Sequence, residues 1–312
     1  MALSVDQDRL YFEFPEVHAD AELSVSFHRT VRVPDDGTTY PLPPSLGRFP
    51  LRVVDDVLVL PMWQSEACWI KFDGRYPFLV KVGVGDVDAV TGGKWSEDPD
   101  FEREDYFEVP EQPWLDGFQV AAGKVRQFVA APLGAGYTLE EQLAAGVAIG
   151  GVRIVAYPIR GPIWEERKKF DAQRPMRAFA APEPTSSMGF GAGGAIEQGV
   201  ATPVEEHDAW DLDHHSAVRI ELVNSDRWEA LTGEQPPTEP VTAEEYTKRG
   251  YPWFSLYEET PARQGSDEFA GVETVSEVRA RRGESPLPGN EHVEPPEPIR
   301  IRRERRTRDR RG

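Results

Sequence analysis

Apolar and polar residues alternate over residues 22–33, ELSVSFHRTVRV, where Leu23, Val25, Phe27, Val31 and Val33 share one side and only Arg29 interrupts it. A period of two is the pitch of side chains on a pleated strand, so this stretch is predicted to be a strand with one face in a core. The five prolines and two glycines of 34–50 exclude a helix and indicate an extended crossover. Strands are predicted at 52–60, 67–72 and 78–84, the last with Phe78, Val80, Val82 and Val84 in phase. Turns follow at Gly85-Asp86 and Thr91-Gly92-Gly93. Further strands are expected near 118–121, 125–130, 152–157 and 217–223. Asp116-Gly117 reads as a hairpin turn, because glycine accepts the positive φ such a turn needs.

Helix signals are fewer. Thr138 with Glu141 three residues on has capping-box spacing, predicting a helix over 138–149 that Gly150-Gly151 ends. A helix is expected near 163–172, with a Glu165–Lys169 pair at i,i+4. Ser225 caps a short helix to Leu231. Thr242 and Glu245 form a second capping box for a helix over 243–249.

The fold class predicted is α+β: a mainly antiparallel, sandwich-like or strongly twisted sheet core from about 20–160, with helices packed on it. Residues 1–172 form the β-rich core, 173–204 a loop or linker rich in Gly, Pro and Ala, and 205–258 an α+β segment packed on the core. Beyond 259 large apolar residues thin out, and Phe269 is the last aromatic, so 259–312 is expected as a disordered tail. Within it Val272, Val275 and Val278 recur every three residues, a pattern for a transient or partner-induced helix.

Charge changes this picture in one respect. The chain of 312 residues carries a net charge of −19, yet residues 299–312 hold eight arginines against Glu304 and Asp309. That local +6 leaves −25 on the remainder. An acidic body repels nucleic acid and anionic membranes, and the tail has the opposite preference. Arg302, Arg303, Arg305 and Arg306 are therefore candidate contacts for a polyanion such as RNA, DNA or an anionic surface, or for an acidic partner protein. The run lacks interleaved aromatics, which argues against base stacking. Cys68 is the single cysteine, which excludes an intramolecular disulfide and suits a reducing cytosol. The N-terminal residues have no basic-then-apolar pattern, so no signal peptide is expected, and no apolar run is long enough for a membrane span.

Several stretches, PLPPSLGRFP (41–50), PMWQSEACWIKF (61–72), PEQPWLDGF (110–118), RQFVAAPLGAGYTLEEQ (126–142) and GYPWF (250–254), together resemble a bacterial group of uncharacterised proteins. The resemblance covers roughly 24–257. It implies that this span folds as one unit, and it assigns no catalytic residue.

Candidate chemistry concentrates in EEHDAWDLDHH (205–215), with three of the six histidines. Imidazole and carboxylate suit Zn or Mn, and His207, Asp208, Asp211, Asp213, His214 and His215 could supply ligands for a hydrolytic metal. The spacing matches no metallohydrolase signature, and the simpler reading is a solvated acidic loop with Trp210 turned inward. Gly189 to Gly194 fits GxGxxG formally, but no strand pattern precedes it, so it reads as a flexible glycine loop. Cys68 sits in an apolar strand and reads as inert. Trp95 and Trp114 flank the acidic run 97–111 and are the tryptophans expected nearest the surface. Glu111, Trp114 and Asp116 could line one concavity. Two functions compete: a non-catalytic binding or scaffold protein with a charged tail, and a metal-dependent hydrolase built on 207–215.

Overall fold

The computed structural model of the chain describes residues 2–121, 124–143, 149–171, 188–257 and 263–302. Two large sheets dominate it. The larger runs in the order Ala2–Asp6, Arg9–Glu13, Glu22–Thr30, Ala67–Asp73, Lys124–Ala131, Gly189–Glu197, Thr39–Tyr40, with Ser45–Arg48, Trp114–Leu115 and Gly117–Ala121 joining at the sides. The smaller runs Val87–Asp88, Phe78–Val84, Val152–Pro158, Ser216–Asn224, Val57–Met62, Arg52–Val54, and Phe107–Val109 also pairs with Phe78–Val84. Neighbours in both sheets are mostly antiparallel; Ser216–Asn224 with Val57–Met62 is a parallel exception.

The predicted alternation explains the packing. Leu23, Val25 and Phe27 from one sheet share a cluster with Val80, Val82, Ile154 and Ile220 from the other, all fully buried. Burial of each such side chain is worth about 1.5–3 kcal/mol relative to exposure. The short helices pack around this β-rich body, the α+β arrangement expected. Among the described residues no helix is long and apolar enough to cross a membrane. Arg29, the break in the apolar face, is accommodated in the interior. Its Nε donates to Glu66 Oε1 at 2.6 Å and its Nη2 to the Thr238 carbonyl at 2.7 Å. Burial pushes the Glu66 carboxyl up to about 7 despite that partner.

Several expectations are revised. Asp116-Gly117 is not a hairpin. Trp114 and Leu115 pair with Lys71 and Ile70, whereas Gly117 and Phe118 pair with Gln127 and Arg126. The segment fills a fork between Ala67–Asp73 and Lys124–Ala131, which pair directly at Cys68–Phe128 and Ala67–Val129. Gly117 is not at positive φ. Glycine is required because a Cβ there would overlap the Arg126 carbonyl.

The glycine run is likewise a strand, Gly189–Glu197, paired along Lys124–Ala131. Its Gly191, Gly193 and Gly194 leave room for Val275, Val129 and the Pro34 carbonyl respectively. Small size, rather than flexibility, is what these glycines supply. Residues 173–187 of the expected loop lie outside the described residues.

Residues 263–302, expected within the tail, run as a strap over the body. The Arg263 guanidinium donates to the carbonyls of Ala201, Tyr106 and Glu104. Phe269 packs on Phe118 with ring centroids 5.6 Å apart. Gln142 exchanges two hydrogen bonds with the Glu273 backbone. The three-residue valine spacing becomes the helix Val275–Arg281, started by a Thr274–Glu277 capping box and packed on the chain's own body. Ile299–Arg302 then pairs with Phe254–Tyr257.

Elsewhere, the helix expected at 138–149 is described over Leu139–Leu143. The pair expected at Glu165–Lys169 forms instead between Glu165 and Lys168 at i,i+3. The Thr242–Glu245 capping box is present as predicted.

Substituting Gly117→Ala is expected to destabilise the protein by about 1–3 kcal/mol, as overpacking does. Gly271→Ala, with nothing near its added Cβ, should stay within about 0.5 kcal/mol of the parent. Urea midpoints of the two variants test this; equal midpoints would remove the fork packing from consideration.

Candidate functional site

The Asp/His cluster does not converge. His207 is exposed and stacks on Phe101 with centroids 4.5 Å apart. His214 bonds Asp211 at 3.1 Å, and His215 stacks on Tyr157 at 5.0 Å. Asp208 and Asp213 are exposed, while Trp210 is fully buried as the solvated-loop reading requires. Among the described residues no three His, Cys, Asp or Glu side chains are placed to share a metal ion. The rings of His207, His214 and His215 instead face three separate neighbours, Phe101, Asp211 and Tyr157.

The acidic run has a structural explanation. Lys81, fully buried, donates to Asp105 Oδ2 at 2.7 Å and to the Asp98 carbonyl at 2.6 Å, with its ammonium 5.4 Å from the Trp95 ring centre. Asp105 accepts from the Asp100 amide, and Asp100 accepts from those of Glu102 and Arg103. Glu108 accepts from the amides of Val204 and Glu205, and burial pushes its carboxyl up to about 7. Trp95, expected near the surface, is buried against Gly83.

In EQPWLDGF the working residue is Gln112, which no motif flagged. Its Oε1 accepts from the Ala201 amide and its Nε2 donates to the Trp114 carbonyl. Glu111, Trp114 and Asp116 are half-buried, and Asp116 contributes its carbonyl to Phe128. Cys68 is fully buried, and burial pushes its thiol well up, as an inert thiol requires. Arg302 ends the strand Ile299–Arg302, and Arg303, Arg305 and Arg306 lie outside the described residues.

A different surface brings chemistry together. Residues opposite one another in an antiparallel pair share a face, with Cβ atoms roughly 5 Å apart. On the face of the larger sheet turned from the core, Tyr11 lies opposite Ser24, which lies opposite Asp73. Ser26 lies opposite Lys71, which lies opposite Trp114. Arg48 lies opposite His28, which lies opposite Trp69. Arg9 starts the strand beside Ser26. Three cations, Arg9, Arg48 and Lys71, thus surround one histidine on an acidic protein.

His28 is 3 % exposed, stacked on Trp69 at 4.3 Å and 19°, and hydrogen-bonded through both nitrogens to Ser26 Oγ and Ser45 Oγ. Burial first, and then the charges of Lys71, Arg48 and Arg9, push its imidazole down to about 3, so it is neutral at physiological pH. Lys71 has Asp73 at 2.9 Å. Arg48 is 8 % exposed, and its Nε and Nη1 are enclosed with no hydrogen-bond partner among the described residues. A guanidinium cannot escape by losing its proton, and of the charges that face it Arg9 opposes it while Asp8 offsets it in part without a hydrogen bond.

Sequence reading missed this face because it followed the apolar half of each alternation. The polar half, Ser24, Ser26 and His28 with Trp69, Lys71 and Asp73, was equally regular. Arg48 lay hidden in the proline-rich crossover, where no periodicity points to a face. Comparison of the chain with protein-family models, curated proteins and solved structures finds no match.

The interior also holds carboxyls that can respond to pH. Glu140 is 1 % exposed, and burial, helped by the Glu141 and Asp86 charges, pushes it up to about 7 from its ordinary 4.5. Between those values the unfolded chain has released a proton that the folded chain keeps, so stability falls as pH rises through this window and levels off above it. Glu140→Gln, which mimics the protonated acid, should match the parent near pH 4 and exceed it at pH 8 by on the order of 3 kcal/mol. Chemical denaturation at the two pH values checks this; an equal difference at both would mean that Glu140 does not titrate with folding.

Proposed function

We propose that this is a non-catalytic binding protein of a bacterial cytosol, with a sandwich-like body that presents the basic, aromatic sheet face to an anionic group. The observation that carries this reading is Arg48: a buried guanidinium with two nitrogens unpartnered among the described residues, facing Arg9 and sharing with Arg9 and Lys71 the surroundings of His28. An uncompensated buried charge costs several kcal/mol. A bound anion offsets that cost, because it replaces the missing protein carboxylate with charge-assisted hydrogen bonds. The aromatic rings of Trp69 and Tyr11 on the same face supply apolar surface beside the charge.

The Arg run has a distinct role in this proposal. The strap is fixed to the body as far as Ile299–Arg302, so the run leaves from a defined place and engages a partner protein or a polyanion. The competing reading, a metal-dependent hydrolase using 207–215, has no shared ligand geometry behind it.

Inorganic phosphate should raise the melting temperature of the full-length protein above that in sodium chloride of equal ionic strength, since a ligand of the folded state stabilises it. Arg48→Gln should abolish the difference. Deleting residues 303–312 should leave the phosphate effect intact and weaken retention on immobilised DNA at low salt. A phosphate effect that survives Arg48→Gln would contradict the assignment of the site.

A further inference from the structure

We infer that the face around Arg48 is a subsite for a small ring compound carrying a single anionic group, the ring lying on Trp69 and the anion held by Arg48 with Arg9 and Lys71. This rests on the reading of the face as an anion site and specifies the ligand class.

Three features of the face lead to it. The first is the platform. One face of the Trp69 indole is occupied by His28, 4.3 Å away and nearly parallel, and the residue is only half-buried. The imidazole backs the indole, and its two serine partners hold the imidazole in place. A rigid, half-exposed aromatic surface is suited to a flat ring, since little side-chain entropy is lost on contact.

The second is the distance from platform to charge. Arg48, His28 and Trp69 occupy consecutive opposite positions on three adjacent strands. Strands lie about 4.8 Å apart, so Arg48 and Trp69 stand roughly 10 Å apart across His28. A single ring with one substituent spans a gap of that size.

The third is the rim, which sets the size. Glu13 and Glu22 lie opposite each other on the same face, two rows from Ser26, and Asp73 sits beside Lys71. An extended polyanion aligned along the strands would carry its next charges onto these carboxylates. One anionic group gains the three cations and avoids the rim. Phosphate monoesters of sugars and of nucleosides share this chemistry, and the test separates them.

Calorimetric titration of the full-length protein with inorganic phosphate, glucose, glucose 6-phosphate and adenosine 5′-monophosphate tests the inference. At least one ring phosphate should bind tenfold or more tightly than phosphate alone, and glucose should bind no better than background. Which of the two wins identifies the ring. Trp69→Leu should erase the advantage of the ring while retaining phosphate binding, and Arg48→Gln should weaken ring phosphate at least tenfold. Lys71→Gln, at a half-buried position with its melting temperature checked, guards against misfolding of the other variants.

Ring phosphates that bind no better than phosphate would overturn the inference and leave the anion site standing. No binding of any probe, with Arg48→Gln indistinguishable from the parent, would overturn both.

Discussion

A buried polar group must find a partner, and that requirement organises this protein. The sheets satisfy most of the backbone, but several segments run where no strand is available to pair with them. Long polar side chains close those gaps. Gln112 serves Ala201 and Trp114, Gln119 serves Val200 and Arg263, and Gln127 serves Val33 and Val31, each using both ends of its amide. Arg263 gathers three carbonyls where the strap crosses the body. Each such bond is worth only about 1 kcal/mol net, but leaving the group unmade costs more.

Against that background the exceptions divide by whether they can shed charge. Glu140 faces the charges of Glu141 and Asp86, but it can hold its proton and become neutral. Asp88 keeps one oxygen unpartnered, and burial pushes it up to about 7 as well. The buried nitrogens of Trp95, Trp210 and Trp228 are neutral already. Arg153 leaves its Nε unmade but has Asp86 at 2.7 Å through Nη2. Arg48 has neither a hydrogen-bonded carboxylate among the described residues nor a neutral form available, and its neighbour Arg9 adds to its charge while Asp8 offsets it only in part. That combination is what the proposed anion site rests on.

The sequence carried the fold further than the site. Alternation placed the strands Glu22–Thr30, Phe78–Val84 and Ser216–Asn224, and capping chemistry placed the helix after Thr242. Glycine misled twice. At Gly117 and along Gly189–Glu197 it was read as freedom of the backbone, whereas the fold uses its lack of a side chain for close approach. The N-terminal strands Ala2–Asp6 and Arg9–Glu13 were overlooked because the apolar pattern at 22–33 was stronger. Local composition also hid the strap: its few large apolar residues, Phe269, Val275, Val278 and Val293, are far apart in sequence, and each reaches a separate part of the body. The candidate site was illegible for a related reason. Its residues come from four strands spread over positions 9 to 71, none in a motif, and only register brings them to one face.

The central claim is that Arg48, left without a hydrogen-bonded counter-ion among the described residues, takes an external anion. A crystal structure determined from a phosphate-rich solution tests it most directly. The expected result is a phosphate within hydrogen-bonding distance of the Arg48 guanidinium and in reach of Arg9 and Lys71, with His28 still stacked on Trp69. An empty face at saturating phosphate, with the Arg48 guanidinium paired to a carboxylate of the protein such as Asp8 or Glu13, would contradict it.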